Sequence, residues 1–75
     1  MVIELVTRTD CHLCDEALAA LREGGIEPVL VDVDAEGELL HLYDFRVPVL
    51  LVDGQVVLEG KISAESVANL VAERG

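Results

Sequence analysis

Seventy-five residues make one small domain, 1–75, with no room for a second; a chain of this size buries only about 60–65% of the surface it exposes when unfolded. The composition, 52% hydrophobic and 3% aromatic, suits a folded protein with an aliphatic core and argues against disorder. Five basic residues against fifteen acidic give a formal charge of −10, which repels phosphate backbones and anionic lipid and makes nucleic acid and membrane surfaces poor partners.

The chain opens with "VIELV", a short β-rich run interrupted by Glu4, and continues into the polar turn "TRTD". From His12 to Glu23 the apolar residues Leu13, Ala17, Leu18 and Leu21 recur at helical spacing. Asp15 and Glu16 fall in the first turn of this helix and Arg22 in the last, matching its dipole, and Gly24-Gly25 supplies the stop. "PVLVDV" predicts a second strand, with Val29, Leu30 and Val31 continuous as in a strand covered on both faces. A shorter helix is expected from about Ala35 to Tyr43, carrying Leu39, Leu40 and Leu42, with Gly37 as its weak point.

"PVLLV" and "QVVLE" flank Asp53-Gly54, the strongest hairpin signal in the chain. After Gly60, Ser63 can cap a last helix whose apolar face is Val67, Leu70 and Val71 and whose end is marked by Arg74 and Gly75. The order strand, helix, strand implies a right-handed parallel crossover. The longest apolar run, "VPVLLV", is far short of the roughly 20 residues of a membrane span. "MVIELV" lacks the basic start of a signal peptide, so the expected location is the cytoplasm.

Cys11 and Cys14 are the two cysteines. In a reducing compartment a Cys-x-x-Cys pair reads as catalytic or metal-binding rather than as a staple, and a bridge over so short a loop stabilises little.

The order βαβαββα, with Cys11-His12-Leu13-Cys14 between the first strand and first helix, resembles the thioredoxin fold in its minimal glutaredoxin-like form: α/β, a four-stranded mixed sheet flanked by helices. The resemblance covers nearly the whole chain, and three segments carry it. "TRTDCHLC" is similar to the glutaredoxin approach to its redox pair, with Arg8 where a lysine is usual. "RVPVLLVDG" is similar to the segment that holds the family's cis-proline, matched by Val47-Pro48. "LEGKISAESV" stands where glutaredoxins carry Gly-Gly before the last helix. The combination looks most like the small bacterial glutaredoxin-like proteins. The departures are His12-Leu13 in place of Pro-Tyr, Arg46 in place of Thr, Glu59 beside Gly60 in place of a second Gly, and Leu5 in the place of the buried carboxylate of thioredoxins.

The resemblance implies a thiol–disulfide oxidoreductase with Cys11 as nucleophile and Cys14 as resolving thiol, acting on protein or glutathione mixed disulfides. A thiolate at Cys11 would be favoured by the helix N-terminus and by Arg8, and opposed by Asp10, Asp15 and Glu16. The substrate-binding candidates are Arg8, His12, Arg46, Val47, Pro48, Gly60 and Lys61. Arg8, Arg46 and Lys61 gather at one pole of the expected fold. Two readings stay open: they bind an anion such as glutathione, helped by the free N–H groups near Ser63, or they balance Asp10, Asp44 and Glu59. His12 either donates to the Cys11 thiolate or is an exposed helix residue. His41 is expected to be solvated and Tyr43 to pack under Pro48.

No resident cofactor and no metal ligands are assigned, glutathione being a candidate co-substrate, and the protein is expected to be a monomer. Two alternatives remain. One is a metal or iron–sulfur centre held by the pair at a dimer interface, since zinc needs four ligands and the pair supplies two. The other is a non-catalytic, redox-sensing interaction module, since fold alone does not give function.

Overall fold

The computed structural model describes residues 1–33 and 46–74. The helix expected over 35–43, with His41 and Tyr43, lies outside the described residues, as does Asp44. The described elements are β1 (Ile3–Thr7), α1 (His12–Glu23), β2 (Val29–Asp32), β3 (Val49–Val52), β4 (Gln55–Glu59) and α2 (Ala64–Arg74). The strands form one sheet in the order β2-β1-β3-β4. β1 and β2 pair in parallel, while β1–β3 and β3–β4 are antiparallel.

Strand periodicity divides the apolar residues between two faces. On one face Leu5 and Leu50 pack with Ala17 and Leu21 of α1 and with Val67 and Leu70 of α2. On the other, Val6, Val49 and Leu51 gather with Val33. β3 is buried along its whole length, as a central strand with both faces covered must be. β2 is different. Among the described residues only β1 lies beside it, and Val29 and Leu30 are 60% and 51% exposed, so its continuous apolar run is not that of a strand covered on both faces. Similarly, the stripe that α1 buries is Cys14, Ala17, Ala20 and Leu21. Leu13, in the first turn beside the cysteines, stays 40% exposed because the apolar face of the helix outruns the core at that end.

Three local devices fix how the elements join. α1 ends in a paired cap: Ile26 N–H donates to Leu21 O at 2.8 Å and Gly25 N–H to Arg22 O at 3.0 Å, with Gly25 at φ +80°. Ile26 and Leu21 also meet in the core, which ties the helix end to the sheet face. The β3–β4 turn places both Asp53 and Gly54 at positive φ, the conformation a two-residue hairpin requires. Asp53 then clips the start of β1, accepting from Val2 N–H at its Oδ1 (2.7 Å) and donating its own N–H to Val2 O (2.8 Å).

α2 starts on a reciprocal serine cap, in which Ser63 Oγ accepts from Ser66 N–H (3.2 Å) and Ser66 Oγ from Ser63 N–H (2.9 Å). Val67 and Leu70 turn inward as expected, but Val71 is 44% exposed at the lip of an apolar groove with Met1 and Ile3.

The two helices approach closely at Gly24, where a Cβ would stand 2.9 Å from Cγ1 of the buried Val67. Valine is stiff at χ1 and has little room to yield. Gly24→Ala is therefore expected to destabilise the domain by about 1–2 kcal/mol. In a Val67→Ala background the same change should cost close to nothing; urea midpoints of the four proteins would show the coupling.

Candidate redox site

All the sequence-derived candidates converge on one end of the sheet. Strand register sets Thr7 level with Asp32 and Val6 level with Val49, so Pro48 lies at the same end as the turn leaving β1. Val49 faces Glu59 across β4, which brings Gly60 and Lys61 to that end as well.

The cysteine turn is built by the backbone. Val33 N–H donates to Thr7 O at 2.9 Å, carrying the β1–β2 pairing one step past β2. Asp10 then adopts φ +59°, the left-handed region that Asp tolerates better than most residues. Cys11 follows in an extended conformation as the N-cap of α1. Its Sγ accepts from Cys14 N–H at 3.2 Å and its carbonyl from Asp15 N–H at 3.2 Å. Sulfur thus stands where Ser or Asp oxygen caps most helices, at the positive end of the helix dipole, where a thiolate is stabilised.

Cys11 and Cys14 are joined as a disulfide with Cα atoms 5.2 Å apart, inside the ordinary range for such a bridge. Cys11 is half-buried, whereas Cys14 is 3% exposed. Only the first sulfur is open to an incoming reactant. Leu5 is fully buried, and among the described residues no polar or charged side chain is buried. Cys14 therefore has no interior carboxylate there to exchange a proton with. Among the described residues no group of three His, Cys, Asp or Glu side chains is placed to hold a metal ion.

The opposite wall is made by Val47-Pro48, which is a cis peptide bond. Pro48 is buried, Val47 half-buried against the second cluster, and Pro48 O accepts from Gly60 N–H at 2.9 Å. Gly60 sits at φ +72°, which a side chain would disfavour.

Around this frame the charged candidates are distributed unequally. Arg46 donates through both Nε and Nη2 to Oε2 of Glu59, so for this cation the charge-balancing arrangement is the one present. His12 is 87% exposed, with Nε2 3.8 Å from Glu16 Oε1 one turn along α1. Lys61 is exposed and shares a shallow groove between α1 and the start of α2 with Glu16, Glu23 and Ser63. Arg8 is exposed in the turn itself. Sequence reasoning named every one of these positions but gave Asp10 no backbone role. The only available signal was the type of residue, an Asp just before a helix N-cap.

A mixed sheet with α1 packed on one face and a half-exposed Cys-x-x-Cys at the N-terminus of that helix defines a thioredoxin-like, α/β protein of the glutaredoxin type. The glutaredoxin-like domain (DUF836) matches the chain over residues 2–72, and the chain belongs to that family. It is similar to the target protein XcR50 from X. campestris. The X-ray structure of XcR50 is 35% identical, over 95% of this chain and 97% of that one, with a TM-score of 0.77. The crystal structure of the thioredoxin-like protein BC3987 is 27% identical over 91% and 97% of the two chains, with a TM-score of 0.70. No functionally curated protein matches the chain. Among the described residues no helix is long and apolar enough to cross a membrane.

Because Asp10 turns the chain into the cap, its φ sets a local demand that can be tested. Asp10→Val should cost about 1–2 kcal/mol, since a β-branched residue is disfavoured in the left-handed region. Asp10→Gly should cost far less. Denaturant midpoints of the oxidised proteins provide the comparison.

Proposed function

We propose that the protein is a cytoplasmic thiol–disulfide oxidoreductase of the glutaredoxin type, reducing protein or glutathione mixed disulfides with a Cys11/Cys14 dithiol and contributing to redox homeostasis. The observation that carries this reading is the inequality within the pair: an accessible sulfur capping α1, bonded to a sulfur that is 3% exposed.

In the reduced protein the Cys11 thiolate attacks one sulfur of a substrate disulfide. A Cys11–substrate bond forms, the substrate disulfide breaks, and the departing thiolate takes a proton from solvent. Cys14 then gives its proton to water and attacks Cys11 Sγ. This forms the intramolecular disulfide and releases the second substrate thiolate. Two electrons have moved from the protein dithiol to the substrate, and an external thiol reductant restores the dithiol.

The surrounding residues bind and orient. The N–H groups opening α1 hold negative charge on Cys11 while it leaves or attacks, and Arg8 adds a cation in the same turn. Val47 and Pro48 form the wall along which the substrate backbone lies, and Gly60 keeps that wall in place through its bond to Pro48 O. His12, Arg46 and Lys61 supply polar contacts at the rim. The protein acts as a monomer without a resident cofactor, glutathione being a co-substrate candidate.

Reduced protein mixed with a disulfide substrate and followed by intact mass tests the assignment. The wild type is expected to lose two hydrogens and carry no adduct, Cys14→Ser to accumulate a mixed disulfide on Cys11, and Cys11→Ser to remain unmodified. Undiminished turnover by Cys11→Ser would sink the reading.

A further inference from the structure

The two residues that depart most from the glutaredoxin pattern on the substrate side, Arg46 and Glu59, are bonded to each other. Arg46 precedes Val47-Pro48 and Glu59 precedes Gly60, and the bond from Gly60 N–H to Pro48 O (2.9 Å) locks the two segments side by side. Across that link the guanidinium gives two N–H groups to one carboxylate oxygen, with the side chains 44% and 46% exposed.

A guanidinium donating twice to a carboxylate has much of its charge compensated before any ligand arrives. The pair as a whole is close to neutral, so an approaching anion finds no net positive charge there. The neighbouring rim residues meet carboxylates as well. His12 faces Glu16 at 3.8 Å, and Lys61 shares its groove with Glu16 and Glu23. The formal charge of −10 adds a field of the same sign over longer distances.

Resting on the oxidoreductase reading, we infer that Glu59 is a specificity-determining residue. By compensating Arg46 and presenting a carboxylate beside the Pro48 wall, it turns the site away from anionic disulfides such as those of glutathione and toward polypeptide disulfides flanked by basic side chains. The chemistry at Cys11 is unchanged; Glu59 sets which disulfide reaches it.

Small disulfides of graded charge isolate this effect from shape. Reduced protein is mixed, in single turnover, with cystamine (cationic), bis(2-hydroxyethyl) disulfide (neutral) or oxidised glutathione (anionic). In each reaction the Cys11–Cys14 bond forms, the probe's S–S bond breaks, and two protons and two electrons pass to the probe, which leaves as two thiols. Acid-quenched intact mass gives each rate constant, normalised to the rate of the same probe with 2-mercaptoethanol. The expected order is cystamine, then the neutral probe, then oxidised glutathione. The first and last should differ by about tenfold at low ionic strength, and by less at high salt.

Glu59→Gln should shrink the cystamine-to-glutathione ratio by about three- to tenfold. Adding Arg46→Gln should return the ratio toward the wild-type value, a reversal that a purely structural role for Glu59 would not produce. A ratio near one or inverted, or a ratio indifferent to salt and to Glu59→Gln, overturns the inference and leaves the oxidoreductase reading standing. Failure of all three probes to produce the intramolecular disulfide overturns both.

Discussion

A helix begins with backbone N–H groups that no carbonyl of its own can satisfy, and in this protein a sulfur meets part of that need. Cys11 Sγ accepts from Cys14 N–H at the start of α1. The rest of the site follows from that contact. It fixes the sulfur at the positive end of the helix dipole, and it requires the left-handed turn at Asp10 that delivers Cys11 from β1. One turn further on, the pitch of α1 carries Cys14 into the core face with Ala17 and Leu21. The same geometry that caps the helix therefore sorts the two thiols into an accessible one and a buried one.

That sorting needs a sheet rigid enough to hold the cap in place. β1 is held on both edges, by β2 and by β3, and its inward residues Leu5 and Val6 are fully buried, one on each face. β3 is buried throughout and carries Pro48 at the end nearest the cysteines. With aromatic residues only 3% of the chain, the core relies on close aliphatic contact. The approach of Gly24 to Val67 shows how little slack the packing of α1 on α2 contains. Leu5, where thioredoxins keep a carboxylate, continues the same logic: among the described residues no polar side chain is buried beneath the pair.

Most of this architecture was legible in the sequence because it rests on short-range rules. Apolar residues at helical spacing gave α1, Asp53-Gly54 gave the hairpin with both residues at positive φ, and Ser63 gave the cap of α2. The continuous run Val29-Leu30-Val31 misled because β-branched and apolar composition reports strand propensity, while strand order is a tertiary property. β2 lies at an edge and exposes Val29 and Leu30. Leu13 and Val71 misled for a related reason: helical periodicity identifies a face but not how far along the helix the core extends. At the site, the Cys pair and Val47-Pro48 were visible as motifs. The Asp10 turn was not, because its signal is a single residue type. Nor could the choice between a ligand-binding and a charge-balancing Arg46 be made, since it depends on a partner 13 residues away.

The site thus has two layers with different origins. The layer that frames the two cysteines is made largely of backbone: the N–H groups of α1, the Pro48 carbonyl and the Gly60 N–H. Among the described residues, side chains enter it chiefly as the two sulfurs, as the Val47-Pro48 wall and as the residues that permit the required φ values. Substitution there acts directly on the cap or the wall. The layer that would meet a substrate under the proposed function is made of exposed side chains, among them His12 with Glu16 and Arg46 with Glu59. Exposed ion pairs contribute little to stability, so they can be exchanged with small effect on folding. Under the proposed function they nonetheless set which charges an incoming disulfide meets. A chain can in this way keep the glutaredoxin frame and its thiol chemistry while replacing Thr and Gly of that pattern by an Arg and a Glu that bind each other. On the proposed function, specificity would change where stability is least engaged, and the identity of the reacting sulfur would not change with it.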